Sequence, residues 1–141
     1  MSGEEIFKER RRALWLNVPV RDCMRIPVIA SPLTPLTSVI YDMVNNDIGA
    51  VIVIEKGKPV GIITEKDVLE KGILNKNIDK ITAKEIMSKP LISIENDHFI
   101  KEALDLMRKH QIRRLAVTEN GMLIGIVTER RLLAKFLNQL Y

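Results

Sequence analysis

The chain has 141 residues, of which 46% are hydrophobic and 28% charged, and its formal net charge at pH 7 is +4. These values are ordinary for a folded globular protein and exclude a low-complexity or strongly charged disordered chain. Cys23 is the single cysteine, so an internal disulfide and a thiolate metal cluster are excluded. No apolar run reaches the ~18–20 residues that a membrane span needs, and we expect a cytoplasmic protein.

The first segment, residues 1–17, is predicted to form a helix over Gly3 to Leu16. Its acidic residues precede its basic ones, which favours the helix dipole. The apolar positions of this helix are Ile6, Phe7, Ala13, Leu14 and Trp15. Trp15 either anchors the helix on the rest of the module or covers a partner interface. Acidic residues among the bases, and the lack of an apolar core, exclude a secretory signal.

The rest of the chain repeats one pattern, in residues 18–72 and 81–137, with a linker at 73–80 and a tail at 138–141. Each repeat starts with a short helical turn, predicted over Val20 to Met24 and over Ala83 to Met87. An extended segment with a proline follows, because a proline disfavours helix in the residue before it. Met24 and Met87 are 63 residues apart, whereas Gly61 and Gly125 are 64 apart. One residue is therefore inserted, and we place it near Asn96 and Asp97.

A helix follows in each repeat, with apolar residues at helical spacing. In the first repeat these are Leu36, Val39, Ile40, Met43 and Val44, and in the second they are Phe99, Ile100, Ala103, Leu104 and Met107. Asp97 is the predicted N-cap of the second helix. The four methionines at matching apolar positions are interpreted as core residues: Met24, Met43, Met87 and Met107.

Two strands joined by a tight turn come next. They are predicted at Ala50–Ile54 and Val60–Thr64 in the first repeat and at Leu115–Thr118 and Leu123–Thr128 in the second. The Asn-Gly pair at residues 120–121 is a strong hairpin signal. A last helix begins near Glu65 or Glu129, and the final one carries an apolar stripe formed by Leu132, Leu133, Phe136, Leu137 and Leu140. The prediction is an α+β fold of two strand-helix-strand-strand-helix units that pack as a pseudo-two-fold pair.

Polar side chains stand where the last helix of the first repeat begins. Thr64 ends a strand and can donate or accept a hydrogen bond, and Asp67 offers two acceptor oxygens within the first turn. Free N–H groups at a helix start favour anionic or polar ligands. On these residues alone, Thr64 as an N-cap and Asp67 as a first-turn acid is the simpler interpretation.

The duplicated pattern, closed by Gly61-Ile-Ile-Thr-Glu-Lys-Asp67 and by Gly125-Ile-Val-Thr-Glu-Arg-Arg131, resembles a pair of CBS domains, also called a Bateman module. The resemblance covers about residues 18 to 137. It implies a regulatory, non-catalytic module that binds AMP, ADP, ATP or S-adenosylmethionine between the repeats and signals to a partner protein. It also implies a homodimer formed through the helices, for which the apolar stripes at Leu36–Val44 and Leu132–Leu140 are suited.

The resemblance further implies two ligand sites. The residues implied for the first site are Thr64, Asp67, Ser88, Leu91, Ile92, Ser93, Ile112, Arg113 and Arg114. Arg113 and Arg114 are suited to phosphate, since a guanidinium presents a fixed fork of donors.

The residues implied for the second site are Arg25, Val28, Ile29, Ala30, Ile48, Gly49, Ala50, Thr128 and Arg131. This site departs from the family pattern, because Arg131 stands where a ribose-binding aspartate is expected. An arginine cannot accept hydrogen bonds from ribose, so we expect one good nucleotide site per chain. Arg131 is either a surface residue of a degenerate site, an anion-binding group or a contact across a dimer interface.

Two other functional classes compete with this interpretation. An enzyme is disfavoured, because the sequence lacks a paired-carboxylate motif, a metal cluster and a P-loop. His98 and His110 have no metal-ligand spacing with Cys23, which is interpreted as a packed side chain. The alternative to the ligand-binding regulatory module is a nucleic-acid-binding regulator. It is suggested by four basic residues of the first helix that could contact phosphates: Lys8, Arg10, Arg11 and Arg12. Ordinary pairing of Glu4 with Lys8 is the simpler explanation of that set.

Overall fold

A computed structural model describes residues 1–74, 77–89 and 91–140 of the chain, without the side chain of Leu140. The chain divides into two compact units. Unit 1 consists of Met1–Ile26 and Ser93–Tyr141, and unit 2 consists of Pro27–Ile92. The units therefore do not coincide with the sequence repeats, because each repeat gives its first segment to the unit of the other.

Unit 2 contains a three-stranded sheet in the order β1-β2-β3. Its strands are β1 (Ile29–Ala30), β2 (Ala50–Glu55) and β3 (Lys58–Thr64). Strand β1 pairs in parallel with β2, and β2 pairs antiparallel with β3. The β2–β3 turn places Lys56 and Gly57 at φ 53° and 78°, which is the geometry of a type I′ hairpin.

The helical segments of unit 2 are α2 (Leu36–Asn45), α3 (Glu65–Asp67) and α4 (Ala83–Ile86). A π-helical turn, Val68–Ile73, continues α3, and a 3₁₀ turn spans Ile78–Lys80. One face of α2 packs into the core and buries Leu36, Val39 and Met43, which lie at helical spacing. The other buried members of this core are Ala30, Val51, Val53, Ile63, Val68, Ile81, Ala83 and Ile86.

Unit 1 repeats the same sheet topology, in the order β4-β5-β6. Its strands are β4 (Ser93–Glu95), β5 (Arg114–Glu119) and β6 (Met122–Thr128), and its helices are α1 (Gly3–Leu16), α5 (Ile100–His110) and α6 (Glu129–Leu140). A 3₁₀ turn spans Val20–Asp22. Asn120 and Gly121 have φ of 52° and 81°, which confirms the predicted hairpin.

The carboxylate of Glu95 in β4 binds this hairpin. It accepts hydrogen bonds from the Thr118 hydroxyl and, at 2.7 Å, from the Asn120 backbone N–H. These bonds, led by that from Thr118, hold the pKa of Glu95 below its ordinary value.

The segment that each repeat gives to the other unit attaches in the same way in both. In unit 2 the Leu36 N–H, at the start of α2, donates to the Ile81 carbonyl at 2.9 Å, and Ser88 bridges to Ile62 of β3. In unit 1 the Ile100 N–H donates to the Val18 carbonyl at 2.9 Å, and Arg25 bridges to Ile126 of β6. Ser88 and Arg25 are therefore equivalent residues.

Two sequence expectations need correction. The N-cap of α5 is Phe99, not Asp97, because the Val18 carbonyl already meets the first N–H of the helix. The inserted residue lies between Ser88 and Ser93 rather than near Asn96. Ile29 of β1 pairs with Ile52, and Ser93 of β4 pairs with Ala116. Strands β1 and β4 therefore already show the same offset between the repeats as Gly61 and Gly125.

Candidate functional site

The end of β3 and the start of α3 form a tight polar corner around Thr64 and Asp67. The Thr64 backbone is extended, and its hydroxyl oxygen accepts from the Asp67 N–H at 3.3 Å. In return, Asp67 Oδ2 accepts from the Thr64 N–H at 2.9 Å and from the Thr64 hydroxyl at 3.0 Å. This is a capping box, so the helix-start interpretation of these two residues is confirmed.

The other oxygen of Asp67 binds two further side chains. Oδ1 accepts from the Ser88 hydroxyl at 2.8 Å and lies 3.0 Å from the Lys71 ammonium. Lys71 also donates to the Ser88 hydroxyl oxygen at 3.1 Å. Backbone pairing of Ser88 with Ile62 and the i,i+4 spacing of Lys71 bring both groups to the carboxylate. Sequence analysis missed Lys71, although this spacing was visible.

Asp67 is only 6% exposed. Burial alone raises the pKa of its carboxyl group, because a charge is costly to desolvate. The hydrogen bonds from the Thr64 backbone, Lys71, Ser88 and the Thr64 hydroxyl outweigh that effect and hold the pKa below its ordinary value. The corner therefore holds a charged carboxylate, two hydroxyls and an ammonium in one place.

The loop before β2 lies next to the same corner. The Glu65 N–H donates to the Gly49 carbonyl at 3.3 Å, and Ala50 is the strand partner of Thr64. Sequence analysis assigned Ile48, Gly49 and Ala50 to the second site. The structure places Gly49 and Ala50 beside the polar residues of the first.

The remaining residues predicted for the first site are divided between the units. Leu91 and Ile92 belong to unit 2, whereas Ser93, Ile112, Arg113 and Arg114 belong to unit 1. Ile112 and Arg113 line a groove of about 710 Å³ in unit 1, between the end of α1, α5 and Glu129. That the two sets together bind one ligand stays a prediction.

The equivalent corner of unit 1 has a different chemistry. Thr128 ends β6, and its hydroxyl oxygen accepts from the Arg131 N–H at 3.2 Å, as in a normal N-cap. Arg25 occupies the place of Ser88, since it exchanges backbone bonds of 2.8 and 2.9 Å with Ile126. Of the other residues predicted for the second site, Val28, Ile29 and Ala30 lie in unit 2 at β1. Their joint role with Thr128 also stays a prediction.

Helix α1 packs on α6 through its tryptophan. The Trp15 indole N–H donates to the Leu132 carbonyl at 3.1 Å, and its ring lies 4.9 Å from that of Phe136. This confirms that Trp15 anchors the helix. The Lys8 ammonium lies 3.4 Å from the Glu4 carboxylate, which is the pairing that the simpler explanation of the basic residues predicted.

Cys23 is buried, in agreement with its interpretation as a packed side chain. Within residues 1–74, 77–89 and 91–140, no group of three or more His, Cys, Asp or Glu side chains is arranged to hold a metal ion. Among the helices of the same ranges, none has the length and apolar character to cross a membrane.

Comparison with known proteins identifies the family of the chain. The family model described as CBS domain matches residues 20–73 and 83–138. An uncharacterized Methanopyrus kandleri protein, MK0525, is 41% identical over 121 residues, which are 83% of this chain and 62% of that protein. The chain spans about three fifths of the length of three curated relatives that it matches.

Two solved structures share the fold. The CBS domain of a bacterial CNNM/CorC family Mg²⁺ transporter in complex with ATP has a TM-score of 0.80 at 17% identity, covering 94% of this chain and 96% of that one. The CBS domain protein PAE2072 from Pyrobaculum aerophilum, complexed with AMP, has a TM-score of 0.73 at 22% identity, covering 86% and 99%.

Proposed function

Because this chain belongs to the CBS domain family, we propose that it is a regulatory module that binds an adenosine-containing ligand and signals to a partner protein. The ligands proposed are AMP, ADP, ATP and S-adenosylmethionine. Two solved structures of the same fold contain AMP or ATP. Because they are only 22% and 17% identical to this chain, the likeness shows the shared fold and not the ligand. The polar corner of unit 2 is therefore the basis for the proposed ligand.

The observation that carries the proposal is the buried, charged carboxylate of Asp67. A ribose presents two neighbouring hydroxyl donors, and a carboxylate accepts both. Oδ2 is held by Thr64, whereas the Ser88 hydroxyl and the exposed Lys71 ammonium bind Oδ1. Ribose hydroxyls would replace Ser88 and Lys71 at Oδ1, and the charge of Lys71 would become available to a phosphate.

Replacement at Oδ1 also provides a signal. Lys71 lies in the π-helical turn Val68–Ile73, and Ser88 follows α4. Releasing both side chains from Asp67 uncouples these two segments, which the carboxylate joins without a ligand. A partner that contacts either segment would then distinguish the bound from the free state.

The test is calorimetric titration of ligand-stripped protein with AMP, ADP, ATP and S-adenosylmethionine. We expect about one equivalent per chain. Asp67→Ala should weaken binding by about 1–3 kcal/mol, or roughly 5- to 150-fold. Asp79→Ala, which removes an exposed acid elsewhere in unit 2, is the matched control. Equal affinities of the wild type and Asp67→Ala would refute the proposed site.

The phosphate role of Arg113 is a separate step. Arg113→Ala should weaken AMP and ATP far more than adenosine, because the guanidinium contacts only the phosphate in this proposal. The same loss for adenosine would show that Arg113 acts on the fold or on the base instead.

A second copy of the chain is the proposed assembly partner. Exposed apolar side chains remain on helical segments of both units: Tyr41, Val44, Leu69, Leu133 and Leu137. Burying such a set is a common basis for homodimers. Sedimentation velocity of the wild type against Val44→Glu and Leu133→Glu tests this, and a monomeric wild type would refute it.

A further inference from the structure

Helix α1 buries none of its side chains. Every residue of the helix before Trp15 is exposed, whereas Trp15 and Leu16 are half-buried. The exposed residues include large apolar ones, since Phe7 and Leu14 are 63% and 65% exposed and Ile6 is exposed as well. Helices in proteins are stabilised chiefly by the packing of an apolar face. The described part of the chain leaves such a face of α1 uncovered.

The exposed apolar side chains lie in one stripe along α1. An α-helix turns by about 100° per residue, so positions seven apart lie almost in line. Two such apolar pairs enclose one arginine, and together they form the outer stripe of α1: Ile6, Phe7, Arg10, Ala13 and Leu14. Trp15 packs on α6 and lies about 140° around the helix from Arg10. The outer stripe therefore faces away from the contact that attaches α1.

Arg10 is the middle residue of the outer stripe and has no acidic neighbour there. Side chains three and four positions apart are neighbours on a helix, and all four such neighbours of Arg10 are apolar. Lys8, in contrast, has Glu4 at this spacing and pairs with it. In the described ranges of the chain, Arg10 forms no ion pair. The outer stripe thus presents an uncompensated positive charge between apolar groups.

The charge of Arg10 indicates what kind of surface covers the outer stripe. In a two-fold contact of this stripe with itself, the central residue would approach its own copy. Two arginines would meet there, and juxtaposed like charges disfavour an interface. A carboxylate in that place would instead form a charge-assisted bond with the guanidinium. Apolar side chains at helical spacing fit a second helix, and one polar residue among them selects the partner.

We propose that the outer stripe of α1 docks an amphipathic helix of another protein, with an acidic residue in the middle of its apolar face. The apolar side chains of the stripe supply the contact area, and Arg10 selects the partner. This surface shares no residue with the set proposed for the homodimer or with the polar corner of unit 2. Because it names where a partner protein binds, it rests on the proposed regulatory function, but its test needs no nucleotide.

The experiment is fluorescence anisotropy of two labelled synthetic peptides titrated with the full chain. Both peptides are amphipathic helices with leucines on one face, and the centre of that face is glutamate in one and lysine in the other. The wild type should bind the glutamate peptide roughly tenfold or more tighter than the lysine peptide. Arg10→Glu should reverse this preference, and Phe7→Ser should weaken the binding of both peptides.

Arg12→Glu is the matched control for the charge of the helix. Arg12 is exposed on α1 but lies about 160° around the helix from Arg10. This variant should keep the preference for glutamate, and circular dichroism confirms that each variant folds. The proposal is overturned if the glutamate peptide does not bind, or if Arg12→Glu reverses the preference as Arg10→Glu does.

Other occupants of the outer stripe give different results, and each would overturn the proposal. Vesicles of phosphatidylcholine and phosphatidylserine, or a DNA duplex, would have to bind the wild type more tightly than the glutamate peptide does. A second copy would appear in sedimentation velocity as a dimer that Phe7→Ser abolishes. Nucleotide binding without peptide binding would overturn this docking surface alone, whereas peptide binding without nucleotide binding would count against the proposed nucleotide sensor alone.

Discussion

The helices that follow Thr64 and Thr128 occupy equivalent places in the two repeats, yet they differ in form. The second is a regular α-helix, Glu129–Leu140, whereas the first changes after one turn into the π-helical segment Val68–Ile73. Gly72 and Phe136 are equivalent residues. The Phe136 ring packs against the Trp15 ring of α1. At Gly72 there is no room for a side chain, because an added Cβ would lie 2.7 Å from Leu36 Cδ2.

The contrast shows how one repeat pattern supports two different surroundings. In unit 1 the large Phe136 side chain forms part of the surface on which α1 packs. In unit 2 the absence of a side chain at Gly72 lets the helical turn approach Leu36 closely. Leu69 and Ile73 of that turn are 56% and 47% exposed, so unit 2 presents apolar surface there. Substitutions at matched positions of the two repeats test this contrast.

The largest expected effect is at the first residue of the matched helices α2 and α5. Leu36 and Ile100 are both fully buried. Leu36→Ala and Ile100→Ala should each lower the free energy of unfolding by about 2–5 kcal/mol, since both leave a cavity. Urea denaturation followed by circular dichroism measures this. Leu33→Ala, at a leucine that is 76% exposed, should cost about 0.5 kcal/mol or less.

A pair of glycines gives the next effect. A Cβ added at Gly61 would lie 2.5 Å from Met87 Sδ, and one added at Gly125 would lie 2.5 Å from Met24 Sδ. Gly61→Ala and Gly125→Ala should each destabilise the protein by about 1–3 kcal/mol through overpacking.

A double-mutant cycle identifies the cause of the glycine effect. Combining Gly61→Ala with Met87→Ala should cost less than the sum of the two single changes, because the smaller side chain gives room to the new Cβ. Additive costs would instead assign the effect to the backbone. Gly3→Ala is the control, as nothing lies within 4 Å of its added Cβ.

The corner carboxylate gives a pH-dependent effect. Asp67→Asn should cost about 1–3 kcal/mol at neutral pH, because the amide cannot accept from all of Thr64, Ser88 and Lys71. The pKa of Asp67 is lowered in the folded protein. Its contribution is therefore complete above the unfolded-state pKa of about 4 and is lost as the pH falls through the folded-state value.

Urea midpoints of the wild type and Asp67→Asn, measured from neutral to acid pH, follow this change. The two should converge as the wild-type carboxylate becomes protonated. A difference that stays constant with pH would assign the loss to shape rather than charge. Arg131→Gln, at the matched position in unit 1, should show little pH dependence in this range.

Most of the elements were predictable because the sequence determines them locally. Apolar spacing defined α2 and α5, and the Asn120-Gly121 pair defined a hairpin that the positive φ angles confirm. The exchange of first segments between the repeats was not predictable in this way. It depends on backbone bonds such as Leu36 to Ile81, and no side-chain pattern encodes their partners.

The candidate site was predictable only in part for the same reason. Thr64 and Asp67 are local, and their spacing identified the helix start. The position of Ser88 follows from its backbone pairing with Ile62, which became evident with the fold. The resemblance named Ser88 without its partner, whereas Lys71 was missed although it lies only one helical turn after Asp67.

The smallest expected effect is at the contact between α1 and α6 in unit 1. Trp15→Phe keeps an aromatic ring against Phe136 but removes the N–H that donates to the Leu132 carbonyl. We expect a loss of about 0.5–1.5 kcal/mol, which is the net value of one hydrogen bond. Urea denaturation followed by circular dichroism measures it, with Phe7→Leu, at an exposed position of the same helix, as the control. A loss no larger than that of the control would show that ring packing alone holds α1, and that Phe136 against Gly72 is the whole difference between the repeats here.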